Sequence, residues 1–404
     1  MIVGIIGGGA AGMTAALAAS QLPGAQVVVF ERQARVGRKL LATGNGRCNL
    51  TNLGATGDSY HGQQPEFAQY ALNQMNPETT LNWFRNMGLY TVAEPSGRVY
   101  PYSDQANSVV DILRLQLEKP NVTVHTGFDV QKIKKTQNGF QVFSAEETVE
   151  VDKMIVACGG LAGSKLGGTM SGYKLLGKLG HRCTKLRPAL VQLKSSWGSL
   201  ASLKGVRTNC AVEILCDGKV FAQSRGELQF TEYGLSGPVI FEVSRDVCAV
   251  AGRWTAKMDF LPDMPADLLQ DELCRRQNTN LPVQELLTGI LHNRLGRVLT
   301  QAAGAGTNGL CRELRQDAIQ AVCCACKEFE IAITEPMGME NAQVTAGGVM
   351  TEQFNPETME SLLVPGLYAC GEVLDIDGDC GGYNLQWAWS SGYLAGMHAG
   401  KDSQ

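Results

Sequence analysis

No apolar run in the 404-residue sequence is long enough to span a bilayer, which excludes a helical membrane protein. Positive charge is also scarce: 35 Lys and Arg against 39 Asp and Glu leave a formal net charge of −4. That balance offers no attraction to nucleic acid or anionic lipid, and neither is expected as a partner. The first residues lack the basic flank of a secretory signal, and their short apolar run is broken by glycine. The 13 cysteines lack the spacing of a disulfide framework. Their odd number and scatter read as reduced thiols in a cytoplasmic protein. No repeat and no low-complexity segment is visible, which excludes solenoid and array architectures.

What is abundant is glycine, 47 residues, and the first dozen positions show one use for it. Ile2 to Ile6 is a short, mostly β-branched run that breaks into Gly7-Gly8-Gly9-Ala10-Ala11-Gly12, and small residues continue through Ala15, Ala16, Ala18 and Ala19. A G-x-G-x-x-G pattern between strand and helix reads as a dinucleotide fingerprint. Gly7 makes the turn, Gly9 admits a pyrophosphate to the backbone, and Gly12 lets the helix pack on the strand. The helix amino end then presents free N–H groups and a positive dipole to the phosphates. A second strand, Gln26 to Phe30, ends at Glu31, the spacing at which a carboxylate binds ribose hydroxyls. These features specify a dinucleotide without saying which one.

Val36 to Asn52, VGRKLLATGNGRCNLTN, holds too many Gly, Asn and Thr for a regular element and reads as an ordered functional loop. Helices are expected over about 65–75 and 77–88, the second capped by Asn76 with Pro77 at its first position. After Ser96-Gly97 and Arg98-Val99-Tyr100-Pro101, Ser103 or Asp104 is expected to cap a helix reaching about Lys119. A strand near Val122–His125 precedes a three-stranded meander over 128–136, 140–145 and 147–152, its first turn at Asn138-Gly139. Met154 to Ala157 is the next strand, leading into Cys158-Gly159-Gly160 and a helix over 171–180. Residues 190–262 read as short strands with turns at Asp217-Gly218 and near Gly226, a small antiparallel sheet or barrel. Residues 265–326 read as helical, with Leu268, Leu269 and Leu273, then Leu286, Leu287, Ile290, Leu291 and Leu295 at helix spacing. Phe329 to Ile333 is a returning strand.

The carboxyl-terminal part regains glycine-rich α/β character. A strand over Gly366–Ala369 leads to Cys370-Gly371-Glu372, a loop reaches Gly381-Gly382-Tyr383-Asn384, and a helix of small residues and tryptophans runs to about Gly396. Glu372, at the carboxyl end of a strand, is placed to accept a hydrogen bond from a ribityl hydroxyl. The helix opening near Leu385 can stabilise negative charge on the pyrimidine edge of a reduced flavin. A nicotinamide cofactor has no ribityl chain, so this second site selects FAD over NAD.

Other residues invite chemistry that their surroundings do not support. Cys48, beside Arg47, has no second cysteine a few residues away to form a redox disulfide, and it reads as a packed thiol. Cys323, Cys324 and Cys326 lack a further ligand pair and read as buried helix cysteines. Asp375-Ile376-Asp377-Gly378-Asp379 imitates a calcium loop, but Cys380 stands where glycine is required and Gln386 where glutamate is. Asp375 is read as fixing a loop beside the flavin, and no metal site is expected. Trp387 and Trp389, two apart on a helix, are read as packing residues. Tyr100 and Tyr383 are left between lining the flavin face, donating a proton and simple packing. Arg47 is left between anchoring a substrate anion and bracing its own loop. The histidines at 61, 125, 181, 292 and 398 form no ligand pair and read as structural.

Four long segments carry a resemblance: 37–52 (GRKLLATGNGRCNLTN), 226–238 (GELQFTEYGLSGP), 344–349 (VTAGGV) and 366–396 (GLYACGEVLDIDGDCGGYNLQWAWSSGYLAG). The chain resembles, over essentially its whole length, the family of bacterial FAD flavoproteins that includes aminoacetone oxidase and the bile-acid-inducible flavoprotein reductase. The resemblance implies an α/β fold: a discontinuous FAD-binding Rossmann domain of glutathione-reductase type, 1–188 with 338–404. It also implies an inserted β-barrel-like domain, 189–262 with 328–337, and a small helical domain, 263–327. The inserted domains are expected to cap the flavin and set specificity. Carried over by position, Gly7, Gly9, Ala10, Ala11 and Gly12 hold the pyrophosphate and Glu31, with Arg32 beside it, the adenosine ribose. Arg38 and Lys39 lie along the phosphates or ribose, Thr43, Gly44 and Asn45 near the flavin ring, and Val130 meets the adenine through its backbone. Ala157, Gly159, Gly160, Gly371, Glu372, Asp375, Gly382, Asn384 and Leu385 complete the expected cofactor set. Relatives often have His where this chain has Glu232, which removes any proton transfer assigned there.

The expected function is that of an FAD-dependent oxidoreductase acting on a small molecule through flavin N5. In one version NAD(P)H reduces the flavin, which then reduces a polarised carbon–carbon double bond of a hydrophobic, steroid-like substrate. In another, the flavin oxidises a small amine of the aminoacetone type and is reoxidised by oxygen. No second glycine fingerprint follows residue 150, so NAD(P)H would bind only transiently as electron donor. Two readings of another class are an FAD-dependent RNA-modifying protein and a non-catalytic flavin redox sensor. The first needs basic stripes interleaved with aromatics, which the inserted region lacks. The catalytic acid and base, the substrate and the oligomeric state are not specified by the sequence; Arg47, Tyr100 and Tyr383 are the catalytic candidates.

Overall fold

β1 (Ile2–Ile6) is central because its side chains are almost all apolar and can be buried on both faces: Val3 and Ile5 are fully inaccessible on one, and Gly4 and Ile6 are buried on the other. In the computed structural model, which describes residues 1–401, β1 pairs in parallel with β2 (Gln26–Glu31) on one side and Lys153–Val156 on the other. The sheet runs Leu367–Ala369, Lys153–Val156, β1, β2, Val122–Thr126, all parallel. The last three residues of the expected 338–404 segment lie outside the described residues. Parallel strands need crossovers, and the first is α1 (Ala10–Ala19), in which every residue after Ala10 is buried. The order also shows that the chain returns near its end, since Leu367–Ala369 is an edge strand of the sheet that β1 begins.

The C-terminal helix (Tyr383–Ala399) packs on α1 through small residues. A Cβ on Gly392 would meet the Ala11 backbone, and one on Gly396 would lie 2.8 Å from Ala18 Cβ. Its amino-terminal half is held by buried polar anchors. Trp387 Nε1 donates to Gly371 O (3.1 Å), and Trp389 Nε1 donates to Leu50 O (2.8 Å). Gln386, fully buried, accepts from Thr51 Oγ1 (2.6 Å), and its Nε2 lies within hydrogen-bond distance of Met75 O, Thr80 Oγ1 and Ser390 Oγ. Both tryptophans are thus packing residues, as their spacing suggests.

The chain divides into two compact units, 1–188 with 343–404 and 189–342. In the second, seven strands form an antiparallel sheet whose hairpin turns at Asp217-Gly218. One stretch, 329–336, supplies both edges: Phe329–Ile333 pairs with Trp254–Asp259 and Glu335–Pro336 with Leu193–Lys194. The ladder pairs stop short of a closed barrel among the described residues. Helices Ala266–Gln277, Asn293–Ala302 and Gln316–Lys327 share one apolar cluster with this sheet. Cys323 and Cys326 are buried in that cluster, and burial pushes the Cys326 thiol up to about 12. No helix among the described residues is long and apolar enough to cross a membrane.

Several local expectations are corrected. Asn76 does cap Pro77–Asn86, accepting from Thr79 N at 2.9 Å. Neither Ser103 nor Asp104 caps the next helix, Ala106–Gln116; its N-cap is Gln105, without a side-chain bond, because Asp104 is turned toward Arg47. The meander's first turn falls on Gln137-Asn138, since Thr136 pairs with Gly139. Gly226 lies inside a long strand, Lys219–Phe230, and not at a turn. Pro238–Ala249 is a helix within the region read as strands; Pro238 opens it, and Val239, Ile240, Val243 and Val247 form its buried stripe. Leu286, Leu287 and Leu291 are buried and Ile290 is half-buried, but all four precede the helix, because Gly289 takes a left-handed φ of 83° and His292 caps at Asn293.

Replacing Gln386 by Leu keeps the volume but leaves the Thr51 and Thr80 hydroxyls short of a partner in a dry site. Urea unfolding is expected to show a loss of about 2–4 kcal/mol, against less than about 0.5 kcal/mol for an exposed control such as Gln69→Leu.

Candidate functional site

The site begins where β1 ends. Gly7 has φ 109°, and a Cβ there would strike the Ala157 carbonyl, so only glycine makes this turn between two parallel strands. α1 starts at Ala10 with Gly9 as N-cap, with no side-chain cap and no acid in its first turn, which leaves its amide donors free for an anion. Open space surrounds the position a Gly9 Cβ would take. Glu31 ends β2, and its two carboxylate oxygens accept from Gly8 N and Gln33 N, each at 2.7 Å. A carboxylate has lone pairs beyond these two bonds, so ribose hydroxyls can still be received. Gly37 N donates to Gly8 O (2.8 Å) and docks the following loop against the fingerprint.

The cations of that loop are partly committed. Arg32 donates to Gly167 O (2.8 Å), and Arg38, exposed, donates to Gln33 Oε1 (2.7 Å). Lys39 Nζ lies 2.8 Å from Glu372 Oε2, an ion pair that joins the two ends of the sequence. Glu372 Oε1 also accepts from Thr345 N (2.9 Å), and a Cβ on Gly160 would meet this carboxylate. Val130 and Ala157 are buried, and Ala157 N donates to Ile6 O. The stretch Leu40–Gly46 is broken at Thr43, Gly44 and Asn45: Thr43 is extended, and Gly44 and Asn45 have φ of 56° and 57°. Such left-handed backbone is costly for a non-glycine residue and concentrates at functional loops. Burial pushes the Cys48 and Cys158 thiols up to about 12, so both are protonated at neutral pH.

At the other end, Gly371 has φ 75° and donates to Ser391 Oγ (2.9 Å). Asp375, buried, accepts from Gln63 N. Leu385 is half-buried against the core. Gly382, with φ 105°, is the N-cap of the C-terminal helix, again with no side-chain cap and no acid in the first turn. Asn384 Oδ1 accepts from Gly378 N and Nδ2 donates to Gly378 O, which closes the preceding loop. Tyr60 hydroxyl donates to Tyr383 O (3.0 Å).

Of the catalytic candidates, Arg47 is a brace. It pairs with Asp104 and with Glu94 (3.3 Å), and its guanidinium sits 3.9 Å over the Tyr100 ring. Tyr100 is buried, and burial raises its phenol above the ordinary range. Among the described residues its hydroxyl has no hydrogen-bond partner. Glu232 pairs with Lys204 (2.7 Å) in the other unit.

The sequence reads His61 as structural and assigns no role to Arg98 or Asn49. His61 Nε2 lies 2.7 Å from Asp379 Oδ1. Arg98, half-buried, has no ion-pair or hydrogen-bond partner for its guanidinium among the described residues, and its Nε lies 3.0 Å from where a Gly381 Cβ would stand. Asn49 is buried with Oδ1 unsatisfied. The available signal was Ser96-Gly97-Arg98: a turn that sets a cation on a two-stranded register, Asn52 opposite Arg98, whose Asn52 Nδ2 reaches Gly381 O (3.1 Å). Two uncapped helix starts, open space at Gly9, a ribose-type carboxylate and an orphaned buried acceptor fit FAD.

The model of the HI0933-like protein Rossmann domain matches residues 1–398. The chain is 41% identical to the 3-dehydro-bile acid delta(4,6)-reductase of Clostridium scindens, covering 98% of each chain. It is 32% identical to the ribosomal RNA dihydrouridine synthase of Escherichia coli, covering 96% of this chain and 95% of that one. A similar fold occurs in 3-ketosteroid delta1-dehydrogenase from Sterolibacterium denitrificans, at 13% identity and a TM-score of 0.50, covering 98% of this chain and 99% of that one. The resemblance seen in the four sequence segments is borne out: the chain belongs to the HI0933-like Rossmann family of FAD-dependent oxidoreductases.

Proposed function

We propose that this enzyme reduces a carbon–carbon double bond conjugated to a carbonyl in a hydrophobic, steroid-like substrate, using electrons from NAD(P)H. The observation that carries the reading is the 41% identity, end to end, with a protein named as a bile acid delta(4,6)-reductase. FAD, when bound, supplies the hydride equivalent at N5. The chain must supply the rest: it binds the phosphates at the α1 start, orients the ring, and delivers a proton to the carbon next to the carbonyl. Tyr100 is proposed for that proton. Its hydroxyl is uncommitted, burial keeps it protonated at neutral pH, and Arg47 clamps its ring in place.

A second reading rests on the relatives named as ribosomal RNA dihydrouridine synthases, at 32% and 30% identity. The uracil ring also holds a double bond conjugated to a carbonyl, so the same proton and hydride positions would serve. The net charge of −4 favours the small-molecule version.

Anaerobic mixing with NADH or NADPH should bleach the flavin, and a 3-keto steroid with a conjugated 4,6-diene should restore the colour with gain of two hydrogens. Bleaching by an amine but not by a nicotinamide would overturn the proposal in favour of an oxidase. Conversion of uridine to dihydrouridine in unmodified ribosomal RNA, without steroid reduction, would select the second reading. Tyr100→Phe is expected to lower kcat about 100-fold while leaving FAD affinity within about threefold of wild type, since no cofactor role is proposed for the hydroxyl. A full rate in this variant would remove Tyr100 as proton donor.

A further inference from the structure

A buried carbonyl oxygen without a donor is destabilising, and Asn49 Oδ1 is such an atom. Its surroundings say what could satisfy it. A Cβ on Gly44 would lie 2.8 Å from Asn49 N and 3.5 Å from Asn49 Cβ, so the side chain roots against the left-handed turn at Gly44 and Asn45. A Cβ on Gly382 would lie 3.0 Å from Asn49 Oδ1, so the other end of the side chain reaches the uncapped start of the C-terminal helix. Asn49 therefore spans the two segments expected to hold the flavin ring. Near the same helix start stands Arg98, half-buried, its guanidinium without a partner among the described residues.

This set holds both kinds of group: the helix start and Arg98 donate, and Asn49 Oδ1 accepts. The pyrimidine edge of an oxidised isoalloxazine is the complement, with a carbonyl on each side of N3–H. N3–H is also the one N–H that the oxidised ring carries, hence the only ring donor an orphaned acceptor can use. We propose that Asn49 Oδ1 accepts the hydrogen bond of flavin N3–H and that Arg98, with the helix amino end, holds the adjoining carbonyl. The assignment rests on FAD as cofactor and not on the substrate. A cation and a helix dipole at that carbonyl also favour the electron-rich reduced ring, which makes Arg98 a positioning residue that raises the flavin's electron affinity.

The test compares apoprotein binding of FAD and of FAD methylated at N3, read by quenching of flavin fluorescence. Wild type should bind the methylated form about tenfold or more weakly. Asn49→Ala should bind FAD itself more weakly by a similar factor and lose the discrimination, to within about threefold. Equal binding of both forms by wild type would overturn the proposal with no variant needed, and so would discrimination retained in folded Asn49→Ala. For Arg98, sulfite addition to the bound oxidised flavin reports electron affinity independently of turnover. Arg98→Gln should weaken sulfite binding about tenfold, and Arg98→Lys should recover most of it. Unchanged sulfite affinity in Arg98→Gln would remove Arg98 from the flavin edge. Neither readout depends on steroid, amine or RNA, so failure here and failure of the proposed reaction are separable.

Discussion

The close approach of α1 to the C-terminal helix is the constraint on which the site depends. It needs small residues on both sides: Gly392 and Gly396 of the C-terminal helix lie against the Ala11 and Ala15 backbones and the Ala18 Cβ of α1. With those side chains absent, helices near opposite ends of the sequence lie backbone to backbone. Both begin without a side-chain cap. The dispersion gained along such a contact is large in sum though small per atom pair, and a single added methyl must displace backbone, not a flexible side chain.

Around that contact, polar groups tie the two ends together. Lys39 and Glu372 form an ion pair across 333 residues of sequence. Trp387 and Trp389 donate to Gly371 and Leu50, and Gln386 gathers Thr51, Met75 and Thr80. Lys39 and Glu372 are both partly exposed, so the pair is worth less to stability than the buried indole and amide bonds.

Much of the nucleotide-binding fold was legible because its signals are local. β-branched runs mark the strands, glycines mark the turns, and Asn76-Pro77 marks a helix start. Errors arose where a longer-range partner overrode a local preference. Asp104 is a good cap by type but serves Arg47. Leu286 to Leu291 have helical spacing, but Gly289 bends the chain between them. Arg98 and Asn49 were missed for a different reason. What distinguishes them is the lack of a protein partner, and a missing partner is visible only once every neighbour has its place.

Tight FAD binding is expected to need the contact between the two helices as well as the fingerprint. Gly392→Ala, far along the C-terminal helix from its start, tests it most directly, by titration of apoprotein with FAD in a variant that still unfolds cooperatively. FAD affinity is expected to fall by about tenfold or more, because a methyl against the Ala11 backbone shifts the amino ends of both helices. An affinity equal to wild type would contradict it.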